Sequence, residues 1–288
     1  MTSGHLRPKV SLDASIYTDP KVDCHCHVLD PSGFAYPLDI SYRPTGQETG
    51  SADYFENVLD AYGVQHALLV GPNSGYSTDN RCMLSAIAAS QGRFKGIAVV
   101  PNDASTARLE ELRAQGIVGI AFNFSLHGLD YYRSAEPLFA RLAAMDMFVQ
   151  VQVEQAQLHT LEPVLLASGA QLLVDHCGRP NVAQGITGEG FSALLRLAES
   201  QRCTVKLSGF AKFSKQDFPF ADTQHYTNAL LAAFGADQCI WASDWPFLKA
   251  AQRLDYGPLL QLFGKMVPNA EDRQKILWHT PRRLFGFS

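Results

Sequence analysis

Eight short apolar runs, rich in β-branched residues, recur along the chain and limit what it can fold into. They cover residues 22–29, 66–72, 96–101, 117–124, 148–153, 171–178, 203–209 and 239–246. Their starts lie roughly 20 to 45 residues apart, the repeat of a strand and a crossover helix rather than of a sandwich. Between the runs, apolar residues return at helical spacing: Leu138, Leu142 and Met145 in 134–146, and Leu194, Leu197 and Ala198 in 190–201. Leu109 and Leu112 precede Gly116, a helix stop. Segments 53–62, 80–90, 158–168 and 226–234 complete the set, and Asn269 with Asp272 three residues on predicts a capped C-terminal helix through Trp278.

Eight strands alternating with helices predict an α/β protein: a single (β/α)8 TIM-type barrel over residues 21–288, with a C-terminal helical extension and an N-terminal segment, 1–20. The length of 288 residues suits one such domain, since these barrels run to roughly 250 residues, and no linker or low-complexity tract marks a second. A doubly wound open sheet is the rival, but its glycine-rich phosphate loop is missing after the first strand. Residues 31–51, rich in Pro, Gly and Tyr, are long for a βα loop and predict a lid or binding loop.

Charge and composition remove several classes of function. Lys and Arg total 24 against 28 Asp and Glu, a net charge of −4 with no basic stripe to neutralise nucleic-acid phosphates. No apolar run approaches the ~20 residues of a membrane span. Residues 1–20 lack the apolar stretch of a secretory signal, so a soluble, cytoplasmic protein is expected. The six cysteines are scattered through apolar runs without a Cys-x-x-Cys pair, which predicts reduced, buried thiols. Nothing in the pattern indicates an oligomeric state.

The chemistry concentrates at three strand ends. The first run contains Asp23-Cys24-His25-Cys26-His27, and strand alternation predicts Asp23, His25 and His27 on one face. The sixth ends Val174-Asp175-His176-Cys177-Gly178-Arg179-Pro180, and the eighth Ser243-Asp244-Trp245-Pro246. Barrel active sites form at the C-terminal ends of strands, so three imidazoles and one carboxylate are expected to converge there. Cys177 reads as a core thiol, because adjacent strand residues face opposite ways and His176 cannot serve it as base. Trp245 is expected to shape the site rather than react.

These motifs, with Thr78-Asp79-Asn80 and Phe122-Asn123-Phe124, resemble the amidohydrolase superfamily, and within it the branch of 2-pyrone-4,6-dicarboxylate lactonases and related sugar-acid lactonases. The resemblance implies a distorted (β/α)8 barrel that hydrolyses an ester or lactone. It makes Asp244 the base that takes a proton from water, and His25, His27 and His176 the donors to the carbonyl oxygen. The same four residues also read as a zinc site. Metal-dependent relatives usually add a His or Lys from the fifth strand, where this chain has Gln150 and Gln152, so the expectation is that no cofactor is required. The rivals are a zinc-dependent hydrolase or decarboxylase on the same barrel and, from a different class, a non-catalytic binder. The expected partner is a small anionic lactone, met by Tyr42, Arg43, Asn123, His127, Gln152 and Lys212. The pyrone lactonases hold two carboxylates with arginines. At the matching positions this chain has Ala121, His127 and Lys212, which argues against a dicarboxylate.

Overall fold

A computed structural model describes residues 15–40 and 42–288, so Ser41 and most of the N-terminal segment fall outside it. After a helical turn at Ser15–Thr18, eight strands pair in parallel and in chain order: β1 (Lys21–Cys26), β2 (Val64–Val70), β3 (Phe94–Ala98), β4 (Ile117–Asn123), β5 (Phe148–Gln152), β6 (Leu172–Val174), β7 (Cys203–Leu207) and β8 (Cys239–Trp241). A helix follows each: α1 (Ala52–Ala61), α2 (Arg81–Ala89), α3 (Thr106–Ala114), α4 (Glu136–Ala144), α5 (Gln157–Ser168), α6 (Glu189–Leu197), α7 (Gln224–Phe234) and α8 (Tyr256–Met266). This is the (β/α)8 barrel that the spacing predicts. Among the described residues no helix is long and apolar enough to cross a membrane.

Alternation along each strand divides the core in two. One set of side chains packs beneath the helices, and a second, including Val22, Leu68, Ile97, Leu173 and Ile240, fills the barrel interior. Phe285 and Phe287 join the inner set from the chain end. The Phe285 ring lies 5.4 Å from that of Phe148, the first residue of β5, and Lys95 near the start of β3 donates to the carbonyls of Phe285 (2.5 Å) and Gly286 (3.0 Å). The C-terminal extension therefore seals the end where the strands begin. Asn269 caps it as expected, accepting from the Asp272 N–H at 3.0 Å, but the helix does not stop near Trp278. A π-helical turn at Lys275–His279 leads into Thr280–Phe285.

Among the described residues no ladder joins β8 back to β1. The seam is closed by two backbone bonds, Asp244 N–H to His25 O (2.9 Å) and His27 N–H to Trp245 O (2.8 Å), and by Asp23. Its buried carboxylate accepts from Ser243 N (3.0 Å), Ser243 Oγ (2.5 Å) and Tyr256 Oη (2.9 Å). Burial pushes the Asp23 pKa up, against the opposing hydrogen bonds from Ser243. This corrects the expectation that Asp23 shares a face with His25 and His27. Asp23 pairs with Ala67 and Cys26 with Leu69, so three steps on β1 match two on β2. The extra residue breaks the alternation: His25 and His27 line the cavity and Asp23 does not.

Candidate active site

A cavity of about 410 Å³ opens where the strands end. His25 reaches it from β1, His27 from just past the end of β1 and Asp244 from the turn after β8, while His176, in the turn after β6, is fully buried beside Asp244 and outside the lining. Both turns are sharp. His176 has φ 53° and Asp244 φ 63°, left-handed conformations that cost on the order of 1–3 kcal/mol each for a residue with a Cβ. That strain turns each side chain back across the barrel end. Gly209, at φ +64°, makes room for one of them, because a Cβ there would lie 2.6 Å from the His176 ring.

The four side chains converge. Asp244 Oδ1 stands 3.5 Å from His176 Nε2 and 3.8 Å from the Nε2 atoms of both His25 and His27. Asp244 Oδ2 pairs with Lys212 Nζ at 2.8 Å. The far nitrogens are held as well. His27 Nδ1 lies 2.7 Å from Val70 O, and His176 Nδ1 lies 3.0 Å from Ser208 Oγ. His25 Nδ1 is 3.2 Å from both Asp175 Oδ1 and Lys206 Nζ.

Burial sets the charges. It lowers the His25 pKa to about 4, with Asp175 opposing and Lys206 reinforcing the shift, and it pushes His176 well below the usual imidazole value. Burial alone would raise Asp244, but Lys212 and His176 outweigh it and hold the carboxyl well below the ordinary range. Asp175 is likewise raised by burial and carried well below by Lys206 and His25. At neutral pH the site presents ionised carboxylates against neutral His25 and His176.

Of the other expected contacts, Asn123, Gln152 and Lys212 line the cavity, while Tyr42, Arg43 and His127 do not. Leu29 and Gly50 close the long loop on itself with two backbone bonds of 2.9 and 3.0 Å. Tyr42 then bonds to Glu48, and Arg43 donates to Leu38 O at 3.1 Å. Asn123 caps a short helix, Phe124–His127, accepting from Leu126 N–H at 3.0 Å. That turn brings Ser125 and Leu126 to the cavity and leaves His127 exposed, stacked on Tyr131.

Several residues in or beneath the cavity are not singled out by the sequence motifs. Lys206 is fully buried under His25, donating to Gln150 Oε1 (2.7 Å) and Asp175 Oδ1 (3.0 Å). Its signal was the alternation of Thr204, Lys206 and Ser208 with Cys203, Val205 and Leu207, a strand with one polar face that a barrel turns inward. Arg179, in the motif that ends the sixth run, also lines the cavity. It donates to Ser125 Oγ (3.0 Å) and pairs with Glu154 (3.1 Å). Lys249 carries no motif at all, and its Nζ sits 4.5 Å over the Tyr42 ring.

The amidohydrolase family model matches residues 22–287, nearly the whole chain. The chain belongs to the amidohydrolase family. This amidohydrolase, an enzyme by that membership, is 28% identical to a 2-pyrone-4,6-dicarboxylate hydrolase of Comamonas testosteroni over 276 residues, 92% of this chain and 89% of the relative. It is also 28% identical to a 4-sulfomuconolactone hydrolase of Hydrogenophaga intermedia, covering 92% and 88% of the two chains. Among solved structures, a probable 2-pyrone-4,6-dicarboxylic acid hydrolase from Acinetobacter baumannii superposes with a TM-score of 0.83 at 27% identity, over 93% of this chain and 99% of the other.

An amidohydrolase site of three imidazoles and a carboxylate raises the question of a divalent metal. His25, His176 and Asp244 each offer one ligand atom, all within 4.8 Å of one another, and these are zinc donor types. Two lysines stand against a fit. Lys212 Nζ neutralises Asp244, and Lys206 Nζ faces the His25 nitrogen that a metal-bound imidazole commits to an acceptor. The barrel strand β5 adds only the neutral amides Gln150 and Gln152. A dication would have to compete with the Lys212 ammonium group for Asp244, the one carboxylate of the cluster, and that competition argues against a fit.

Proposed function

We propose that this amidohydrolase opens a small lactone carrying one negative charge, by attack of water and without a metal. The observation that carries the reading is the ionised Asp244 carboxylate with three Nε2 atoms within 3.8 Å, at the mouth of a barrel. A water bound to Asp244 Oδ1 passes its proton to the carboxylate as its oxygen attacks the acyl carbon. The carbonyl oxygen becomes an alkoxide, which imidazole N–H groups stabilise. When the intermediate collapses, the acyl–oxygen bond of the ring breaks, and the departing alkoxide takes the proton from Asp244. Lys212 holds the other Asp244 oxygen throughout. The names of the two relatives support a lactone as the substrate class.

The charge count supports a monoanion. Lys212 is engaged by Asp244 and Arg179 by Glu154, whereas Lys249 rests on an aromatic ring. Ala121 lines the cavity where the resemblance places an arginine. Losing two charge-assisted contacts of ~1.5–3 kcal/mol each weakens a dicarboxylate by roughly 10²–10⁴-fold or more. Steady-state kinetics on monoanionic and dianionic lactones test this. The monoanions should give the higher kcat/KM, and a value above ~10⁴ M⁻¹s⁻¹ on the pyrone dicarboxylate, ordinary for an enzyme, would refute it. Asp244→Asn should lower kcat by ~10²-fold or more in a folded protein. The second reading, a zinc-dependent hydrolase or decarboxylase, draws its support from the 4.8 Å cluster of ligand atoms.

A further inference from the structure

We propose that the buried Lys206 fixes the His25 proton on Nε2, opposite to its placement in His27, so that the two histidines of β1 divide the work between donor and acceptor. The argument is an inventory of hydrogen bonds. Lys206 is fully buried, and its ammonium group has three protons. Among the described residues it meets three acceptors: Gln150 Oε1 at 2.7 Å, Asp175 Oδ1 at 3.0 Å and His25 Nδ1 at 3.2 Å. Asp175 Oδ2 is taken by Gln150 Nε2 at 3.0 Å.

With a lone pair on His25 Nδ1, every donor of this buried group meets an acceptor, and the single ammonium group bridges Nδ1 and Asp175 Oδ1, which lie 3.2 Å apart. With a proton there, donated to Asp175, one N–H of the fully buried Lys206 would point at another N–H. A buried donor without an acceptor costs its full desolvation. The inventory therefore puts the proton on Nε2, which faces the cavity.

His27 obeys the reverse constraint. Its Nδ1 lies 2.7 Å from Val70 O, and a carbonyl only accepts, so Nδ1 carries the proton and the tautomer with one N–H presents its lone pair at Nε2. His176 is not fixed in this way, because the Ser208 hydroxyl can donate or accept.

The division assigns roles that three identical imidazoles would not have. His25 Nε2–H points a donor at the oxygen that becomes an alkoxide. A water that gives one hydrogen to Asp244 Oδ1 and the other to His27 Nε2 keeps its lone pairs for the acyl carbon. The proton moves only to Asp244, and His27 orients the water. Lys206 is a positioning residue, acting through His25. The catalytic half rests on the hydrolysis proposed above, whereas the tautomers do not.

Two-bond ¹H–¹⁵N correlation spectra of ¹⁵N-histidine-labelled protein read the tautomers without any substrate, with signals assigned through His25→Gln and His27→Gln. The expected pattern is a proton on Nε2 of His25 and on Nδ1 of His27. A proton on Nδ1 of His25, or on both its nitrogens, overturns the proposal. Lys206→Met should move the His25 proton to Nδ1, where Asp175 accepts it, and Lys206→Leu, which also carries no donor, serves if methionine prevents folding. In the folded variant kcat should fall by about 10²–10³-fold with KM nearly unchanged. A folded variant that keeps the wild-type His25 signal overturns the role of Lys206. Failure to turn over any lactone would instead sink the proposed function and leave the tautomers readable.

Discussion

Lys212 governs how basic Asp244 is. Its ammonium group, 2.8 Å from Oδ2, is the largest influence that holds the carboxyl below its ordinary range. Removing it leaves burial less opposed, so the Asp244 pKa must rise. The acid limb of kcat/KM should accordingly move to higher pH in Lys212→Met, and pH–rate profiles of wild type and variant check this; an unmoved limb would separate Lys212 from the base. Gly209 tests the geometry of the same group from another side. In Gly209→Ala the new methyl meets the His176 ring at 2.6 Å in a backbone conformation that disfavours any side chain. Activity should drop at least tenfold in protein that remains folded, as measured by steady-state kinetics, since small misplacements of reacting groups cost that much or more. At this scale, the residues at strand ends were legible because an ionisable group after an apolar run, followed by Gly or Pro, has few other places to be. Lys206 was not, because one lysine within an apolar run looks like an interruption until the strand is known to face a barrel interior.

The elements were legible wherever periodicity was long, as in Glu136–Ala144 and Glu189–Leu197, whose apolar residues return every three or four positions. Strand lengths were less so. The runs 171–178 and 239–246 fold as strands only over Leu172–Val174 and Cys239–Trp241, because the apolar pattern continues into left-handed turns that place His176 and Asp244. The shift in β1 was hidden for a related reason: alternation assumes that partner strands advance in step, and here β1 gains a residue on β2. The C-terminal extension, read only as a helix, is a plug. Phe285 is buried against Phe148 at the closed end of the barrel. Phe285→Ala should cost about 3–5 kcal/mol of stability by denaturant unfolding. Turnover per folded molecule should stay near wild type, because the plug sits at the opposite end from the cavity.

The whole molecule should feel the buried imidazoles as a dependence of stability on pH. His25 has its folded pKa lowered to about 4 from 6.5, so the unfolded chain binds more protons between these values. Its contribution is fully present above about pH 6.5 and is lost as pH falls towards 4, at up to about 1.4 kcal/mol per pH unit. His176, also lowered, acts in the same direction, whereas Asp23, whose folded pKa is raised, acts against them. Denaturant unfolding from pH 6.5 to 4 should therefore show a shallower loss for His25→Asn than for wild type; equal slopes would remove His25 from the balance. The fold places these groups in a barrel whose architecture was legible from spacing alone. How well the donors suit a metal was not legible, since the lysines that compete with one, Lys206 and Lys212, meet the site from β7 and the loop after it. The most direct test of the account is therefore the turnover number on a monoanionic lactone after exhaustive chelation. The account predicts that kcat is unchanged by chelation. Loss of activity on stripping, with full recovery on adding one equivalent of zinc, would contradict it.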